Sequence, residues 1–384
     1  MKRSTDRFLT THTGSLPRPP ALIALLQELH IGGNATNPVL EREIESATKE
    51  VVRKQAEAGV TVINDGEQGK SNFFLYRQQR LSGFESRPVK DAPPMLSREH
   101  QDFPEFYEHL LNPKIRAGSA NTATLCCTGP VGWQDFSEVE RDIANLKAAT
   151  QGVPHSELFM SAISPGCYLP RNLHYKSEEE YLSAVVDVME REYSAIVEAG
   201  FVLQIDSPDL TVYYRGREMP VEEHLAYMRT RVDAINHATR KLPADRVRVH
   251  VCWGADEAPH HRDIPLKEIV GELMRLRPSG VTIAGANGRH SHEWQVWKDV
   301  KLPADKVIIP GVIDSTTNII EHPEAVAERI INYASVLGPE NVIAGVDCGF
   351  DTASGGMGQV DTRIVWAKLR SLADGAEIAS KRLF

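Results

Sequence analysis

Three side chains of kinds that bind transition metals stand in two short motifs of this 384-residue chain. His250 and Cys252 are two residues apart at the end of one apolar run, and Cys348 directly follows another. Residues two apart in a strand point to the same side, so the imidazole and the thiol can bind one ion together. Three nitrogen and sulfur ligands with an open fourth position are typical of catalytic zinc. The alternative is a core histidine and cysteines that pack as small apolar residues; the second strand-end cysteine favours the metal.

Two carboxylates occupy similar places. Glu67 and Asp206 each follow a β-rich apolar run, and together they could hold a cationic amino group, although either alone could be a helix cap or a solvated loop acid. Gly14 and Ser15 follow the first apolar run, where a glycine lets a ligand approach main-chain amides. The cluster around His290, His292 and Glu293 has spacing compatible with a metal, but such a cluster at a helix start is more often solvated.

The elements that must position these residues alternate along the chain. Nine apolar runs are predicted strands: Phe8 to Thr13, Val60 to Asn64, Ala123 to Thr128, Leu158 to Ile163, Val202 to Ile205, Val247 to Cys252, Val281 to Ala286, Val307 to Ile313 and Val342 to Asp347. Helical patterns lie between them, the clearest from Ser177 to Ala199, with a capping box, one apolar stripe and a closing Gly200. Such alternation indicates a parallel sheet covered by helices.

Reactive residues at successive strand ends favour a closed barrel over an open sheet, which would gather them at one switch point. We therefore predict a single α/β domain over residues 1–384, a (β/α)₈ TIM barrel, in which the ninth run is an extra strand or a loop. Residues 77–114 contain Pro93-Pro94 and several aromatic residues and do not follow the alternation of strands and helices. This segment therefore predicts a long loop excursion over one mouth of the barrel.

Composition excludes several other classes of protein. The 43 Lys and Arg against 52 Asp and Glu give a formal charge of −9, without the basic stripe of a nucleic-acid binder. No apolar stretch reaches the roughly 20 residues that span a bilayer, and polar residues interrupt the N-terminus before a signal peptide could form. Five cysteines, an odd number, argue against a disulfide framework. We expect a cytoplasmic enzyme without membrane or nucleic-acid partners.

Taken together, five motifs resemble the catalytic barrel of the cobalamin-independent methionine synthases. They are Thr13-Gly-Ser-Leu-Pro-Arg18, Asn64-Asp-Gly-Glu67, Gln204-Ile-Asp206-Ser-Pro208, His250-Val-Cys252 and Gly345-Val-Asp-Cys348-Gly349, in the family's order. The resemblance covers most of the chain and is to the C-terminal half of the long enzymes, within a branch of single barrels that includes epoxyalkane:coenzyme M transferase-like proteins.

The resemblance implies a zinc-dependent transfer of a methyl or other small alkyl group to a thiol. Zn²⁺ would be bound by His250, Cys252 and Cys348. Glu67 and Asp206 would hold the amino group of homocysteine, and Gly14 and Ser15 its carboxylate. The implied partners are a small thiol acceptor and an alkyl donor such as methyltetrahydrofolate.

Two positions depart from the family pattern. Ala284 stands where the family has a glutamate zinc ligand, so water or another carboxylate, such as Glu293, is needed to complete the site. Thr316 stands where the family has a catalytic histidine, which leaves Asp314 at the same strand end as the candidate catalytic residue.

Three alternative functions remain open at this point. The chain could alkylate another thiol, such as a coenzyme M-like or glutathione-like acceptor, in epoxide opening or demethylation. It could be a non-catalytic thiol-binding homologue. A metal-free activity like that of uroporphyrinogen decarboxylase would leave the His250, Cys252 and Cys348 set unexplained.

Overall fold

A computed structural model of the protein describes residues 1–30, 37–73, 76–88, 98–110, 123–217, 219–351 and 360–384. The strands in these residues are β1 (Val62–Ile63), β2 (Leu81–Pro88), β3 (Ala123–Trp133), β4 (Glu157–Ile163), β5 (Arg171–Asn172), β6 (Val202–Asp206), β7 (Val247–His250), β8 (Gly280–Ile283), β9 (Val307–Ile313) and β10 (Gly345–Val346). The α-helices are α1 (Pro20–His30), α2 (Pro38–Glu57), α3 (Tyr76–Arg80), α4 (Arg98–Asp102), α5 (Pro104–Leu110), α6 (Ser137–Ala149), α7 (Glu178–Glu198), α8 (Val212–Arg215), α9 (Val221–Ala238), α10 (Leu266–Leu273), α11 (Pro323–Leu337) and α12 (Thr362–Leu383). Short 3₁₀ helices occur at Pro208–Leu210, Ala244–Arg246, Glu293–Lys298 and Pro339–Asn341.

The main sheet is parallel and curled, and it has seven strands in the order β1-β4-β6-β7-β8-β9-β10. Its register aligns strand ends: Asp206 is level with Ile163 on one side and with His250 on the other. The carboxyl ends of the strands therefore form one edge, where the loops that follow them meet. The α/β class and the parallel sheet predicted from the sequence are confirmed.

The two outermost strands of this sheet bond to the same stretch of chain near the N-terminus. The Ala344 amide donates to Leu9 O at 2.9 Å, and the Thr11 amide donates to Ala344 O at 2.8 Å. On the other side, the Val62 amide donates to Thr10 O at 2.9 Å. The run predicted as a strand from Phe8 to Thr13 thus contributes one parallel bridge, at Thr10, and hydrogen bonds to both edges.

Side chains of the strands alternate between two environments. One set of apolar residues joins the large core beneath the helices, and a separate cluster contains Leu9, Val62, Phe159, Val202, Val307, Ile309 and Ile343. Because successive residues of a strand face opposite ways, Gln204 and Asp206 alternate with core residues in β6, as Arg248 and His250 do in β7. The strand face that lacks the large core therefore carries polar groups toward its carboxyl end.

Helix α7 behaves as its pattern predicts. Ser177 is its N-cap, and the side chain accepts a hydrogen bond from the Glu180 amide at 3.1 Å. The Glu180 carboxylate accepts from the Lys176 amide rather than from the cap residue. The predicted apolar stripe is buried, and Tyr193 within it donates to Ile163 O at 2.6 Å, which fastens the helix to the end of β4.

Of the nine predicted runs, the one outside the main sheet is Ala123 to Thr128, and it is an extra strand. It belongs to β3, in a second sheet of order β2-β3-β5, where β2 and β3 are antiparallel. The prediction of a long loop over residues 77–114 is therefore wrong in part, because residues 81–88 form β2. Helices α4 and α5 follow, and the Phe103 ring lies 5.1 Å from His261, in the loop beyond β7. Residues 89–97 and 111–114 of the predicted excursion lie outside the described residues.

Among the helices the structure describes, none is both long and apolar enough to cross a membrane.

Candidate functional site

Most of the predicted site residues meet at the carboxyl edge of the parallel sheet. The described residues enclose a cavity of about 220 Å³ there, lined by Ser15, Glu67, Asp206, His250, Cys252 and Cys348, with ten further residues. Asp206 and His250 end adjacent strands, and the others lie in loops just beyond strand ends. Parallel strands bring such positions to one edge, so the convergence follows from the register.

The two cysteine sulfurs and the imidazole form one tight group. The Sγ atoms of Cys252 and Cys348 are 3.2 Å apart, and one ligand atom from each of the three side chains lies within 4.8 Å of the others. Two zinc–sulfur bonds of about 2.3 Å span this separation, and a histidine with two thiolates is a donor set that zinc prefers. These three residues could therefore hold a zinc ion.

The same contacts perturb the acidity of the three groups. The hydrogen bond from Cys348 and the nearby His250 hold the pKa of Cys252 well below its usual value, although burial acts in the opposite direction. The hydrogen bond to Cys252 and burial both raise the pKa of Cys348. Burial lowers the pKa of His250, but hydrogen bonds to Asp206 and Cys252 outweigh it and raise that pKa to about 10. The group thus favours one thiolate, which is the form that binds metals.

A hydrogen-bonded chain beneath the cavity positions the histidine. The Arg248 Nε donates to Gln204 Oε1 at 2.9 Å, and the Gln204 amide donates to Asp206 Oδ1 at 2.8 Å. The same Oδ1 lies 3.2 Å from His250 Nδ1. Burial of its guanidinium lowers the pKa of Arg248 to about 9. This chain fixes the rotamers of Asp206 and His250, as partners beyond the ligands commonly do in metal sites.

Glu67 is a buried carboxylate held in an uncommon backbone conformation. Its φ is +57°, its side chain is 2% exposed, and its Oε2 has no hydrogen-bond partner. Burial, with a smaller contribution from the Asp206 charge, raises the pKa of Glu67 to about 7, against the opposing effect of Lys70. The Asp65 carboxylate accepts the Glu67 amide, which shapes the turn. A buried acceptor without a partner is costly, so this oxygen is well suited to bind a ligand donor.

Gly14 and Ser15 lie beside this carboxylate. Gly14 has φ +124°, and a Cβ there would come 2.5 Å from Glu67 Oε1 and 2.4 Å from Ser161 Oγ. Only a glycine allows both the conformation and the close approach. Ser15 lines the cavity itself, whereas Gly14 lies behind it.

Comparison with known proteins relates this architecture to one family. The sequence profile described as "Cobalamin-independent synthase, Catalytic domain" matches residues 170–366. The chain belongs to this family. It is accordingly an enzyme of the methyltransferase class, and the resemblance stated from the motifs is confirmed.

Relatives of the family match over almost the whole chain. Proteins named methionine synthase from Sulfolobus acidocaldarius and Sulfurisphaera tokodaii are 26% and 23% identical, each over 97% of this chain and 93% of its own length. A B12-independent methionine synthase structure from a Shewanella species superposes with TM-score 0.70 at 19% identity, over 98% of this chain and 99% of that one. A putative methionine synthase from Listeria monocytogenes gives TM-score 0.63 at 20% identity, over 97% of this chain and 98% of that one. These two structures share the fold.

The position expected to supply the family's glutamate ligand has a different role here. Ala284 directly follows β8 and is buried, and the next three amides, of residues 285–287, donate to the Asp347 carboxylate at 2.8 to 2.9 Å. Glu293 does not replace the missing ligand, because its carboxylate bonds His290 Nδ1 at 2.7 Å and the Leu266 amide at 2.7 Å. The His290 cluster is thus an ion-paired network rather than a metal site.

Asp314 does not contribute to the described lining of the cavity. Its Oδ1 accepts both the amide and the hydroxyl of Thr316 at 2.8 Å, and its carbonyl accepts from Lys368 at 2.9 Å. These contacts build the loop after β9. The catalytic role of Asp314 stays a prediction without support from its contacts.

Several cavity residues were not singled out from the sequence. They are Phe73, Tyr168, Val212, Arg215, Gly254, Ala255 and Asp256, whereas Thr13, Pro208 and Gly349 line the cavity and belong to the motifs named above. Tyr168 has φ +44°, and its loop is fixed from behind by the buried Arg77, which donates to the carbonyls of Ser164 and Cys167. Residue spacing gives no signal for such positions, because loops distant in sequence bring them together.

Proposed function

We propose that this chain transfers a methyl group to the thiol of homocysteine, with zinc bound by His250, Cys252 and Cys348. The observation that carries the proposal is that three metal-ligating side chains and two carboxylates line one cavity at the carboxyl edge of the sheet. The relatives named methionine synthase, aligned over almost the full chain, support the same acceptor.

We also propose that the stretch around Thr10 completes an eight-stranded barrel. Its hydrogen bonds to Ala344 and to Val62 support closure between β10 and β1. A closed barrel gives the cavity a rigid rim, and active sites of (β/α)₈ enzymes lie at this end of the strands.

The chain's residues would act mainly by binding and orienting. Glu67 Oε2 and the Asp206 carboxylate would accept hydrogen bonds from the ammonium group of the amino acid, while the Ser15 backbone would receive its carboxylate. Gly14, whose amide donates to His12 Nδ1, would act by allowing the chain to pass close to Glu67. Bound in this way, the acceptor would direct its sulfur toward Cys252 and Cys348. Zinc, when bound there, would lower the pKa of the acceptor thiol and keep it as a thiolate at neutral pH. Holding the two reactants together in this way can contribute up to about 7 to 11 kcal/mol.

The sulfur environment suits a nucleophile. The thiolates of Cys252 and Cys348 would offset the two positive charges of a zinc ion held there, so an acceptor thiolate would retain most of its electron density. The alkyl donor is the second small-molecule partner.

A methylation assay tests the proposal. Purified protein with zinc is supplied with homocysteine and a panel of methyl donors, and methionine is measured by mass spectrometry. We expect methionine from wild-type protein and loss of at least about a hundredfold in Cys252→Ala, because a ligand that activates the nucleophile is removed. Cys167→Ala, a buried cysteine outside the cavity lining, is the matched control and should retain activity. Methionine formation by Cys252→Ala at the wild-type rate would refute the metal site.

A further inference from the structure

Two aromatic rings form a corner of the cavity. Phe73 and Tyr168 both line it, with ring centroids 6.2 Å apart and planes at 77°. The adjoining lining residues Pro208 and Val212 are apolar. Nearly perpendicular rings present a face and an edge to the same space, and such corners bind organic cations through the negative ring faces.

The charges that line the cavity also favour a cation. Three carboxylates, of Glu67, Asp206 and Asp256, face one guanidinium, that of Arg215. Arg215 Nη2 donates to both carboxylate oxygens of Asp256 at 3.0 and 3.2 Å, so the Asp256 charge balances that of Arg215 within the cavity wall. A zwitterionic amino acid adds no net charge of its own. The second substrate therefore enters a cavity with an excess of negative charge, and an anionic donor is disfavoured.

The volume sets a further limit. A cavity of about 220 Å³ is smaller than the roughly 300 to 1,000 Å³ of sites for drug-sized ligands. A small acceptor with a small donor suits this space better than a large donor does.

Proton transfer is the last consideration. Phe73, Pro208 and Val212 have no acidic proton, and burial raises the pKa of the Tyr168 hydroxyl above its usual value, so the corner offers only a weak acid. Asp314 is not among the described residues that line the cavity, and its carboxylate accepts from Thr316. A donor whose leaving group departs as a neutral molecule needs no proton from the protein, whereas an amine leaving group does.

We propose that the alkyl donor is a small sulfonium compound, bound with its positive sulfur in the corner of Phe73 and Tyr168. The inference rests on the proposed function and names its second substrate class. The acceptor thiolate attacks a carbon bound to the sulfonium sulfur and forms a new carbon–sulfur bond. The old bond breaks with its electron pair going to the sulfonium sulfur, which leaves as a neutral thioether. The acceptor's own proton is lost to solvent when the thiol binds as thiolate, so the step is balanced without a further acid.

Binding provides the first test, independent of turnover. Trimethylsulfonium is titrated calorimetrically into zinc-loaded protein, with tert-butanol as a neutral compound of similar shape. We expect the cation to bind at least about tenfold more tightly than the alcohol, and Tyr168→Leu or Phe73→Leu to weaken the cation about tenfold. Tyr168→Phe keeps the ring and should restore affinity to within about twofold. Phe106→Leu, an aromatic replacement outside the cavity lining, is the control. Equal affinity for the two compounds, or Leu variants that bind like wild type, would overturn the inference.

Turnover separates this inference from the proposed function. With homocysteine and trimethylsulfonium, we expect methionine and dimethyl sulfide in equal amounts. Methionine formed from methyltetrahydrofolate but from no sulfonium compound would overturn the donor assignment and leave the acceptor assignment standing. Failure of the protein to bind methionine or to methylate homocysteine with any donor would instead refute the proposed function.

Discussion

Glu67 should control the pH dependence of amino-acid binding. Its buried carboxyl has a pKa of about 7, raised chiefly by desolvation, and its Oε2 has no partner in the protein. An ammonium group binds the ionised form, so binding requires a proton to leave Glu67. Methionine is the useful ligand for this test, because it has the amino and carboxylate groups of homocysteine without a thiol that would titrate as well.

The size of the effect follows from the pKa. With a pKa of about 7, about a tenth of Glu67 is ionised at pH 6 and about nine tenths at pH 8, so affinity for methionine should rise about tenfold across this range. Glu67→Gln removes the titrating group, and its affinity should not change with pH. At pH 8 it should bind about 10- to 150-fold more weakly than wild type, which corresponds to about 1.5 to 3 kcal/mol for a hydrogen bond to a charged group.

Isothermal titration with metal-saturated protein at pH 6, 7 and 8 measures both quantities. Asp206→Asn is the informative second variant. It should also bind more weakly, but it keeps Glu67, so the pH dependence should persist with a lower midpoint because the neighbouring negative charge is gone. Wild-type affinity that is equal at pH 6 and pH 8, or a Glu67→Gln variant with the wild-type slope, would refute the assignment of Glu67.

Other substitutions test the geometry around the same site. The pKa of Glu67 is raised from 4.5 to about 7 in the folded protein, so ionisation of Glu67 destabilises the fold increasingly as the pH rises from 4.5 to 7. Glu67→Gln removes this penalty and should stabilise the unliganded protein, by about 3 kcal/mol at pH 8 and by less than about 1 kcal/mol at pH 5. Urea unfolding at the two pH values measures both free energies. Gly14→Ala would place a methyl group 2.5 Å from Glu67 Oε1, so methionine affinity should fall at least about tenfold by calorimetry, and unchanged affinity would contradict the close packing. Asp347→Asn would turn an amide donor toward one of three backbone N–H groups, at a cost of about 2 kcal/mol in urea unfolding; equal stability would show that these hydrogen bonds contribute little.

Local patterns were sufficient to predict much of the molecule. Helix α7 was predictable because its cap at Ser177, its apolar stripe and Gly200 are all encoded within one segment. The meeting of Glu67, Asp206, His250 and the two cysteines at one cavity was predictable because parallel strands end at the same edge.

Long-range pairing was not predictable in the same way. Apolar and polar residues do not alternate regularly over residues 81–88. These residues form strand β2 because they pair with β3, which lies about 40 residues later in the chain. Tyr168 enters the cavity from a loop whose position depends on the buried contacts of Arg77, and Arg215 enters it from the end of the short helix α8. The bonds of Asp347 to residues 285–287 likewise join segments about 60 residues apart, and no local pattern encodes them.

Metal content tests the central claim most directly. Wild-type protein, Cys348→Ala and the control Cys167→Ala would be purified side by side, supplied with zinc, passed through a desalting column and measured by inductively coupled plasma mass spectrometry. We predict close to one zinc per chain in wild type and in Cys167→Ala, and loss of most of it in Cys348→Ala, because one of three ligands within 4.8 Å is removed. Zinc absent from wild type, or retained in full by Cys348→Ala, would contradict the site of His250, Cys252 and Cys348.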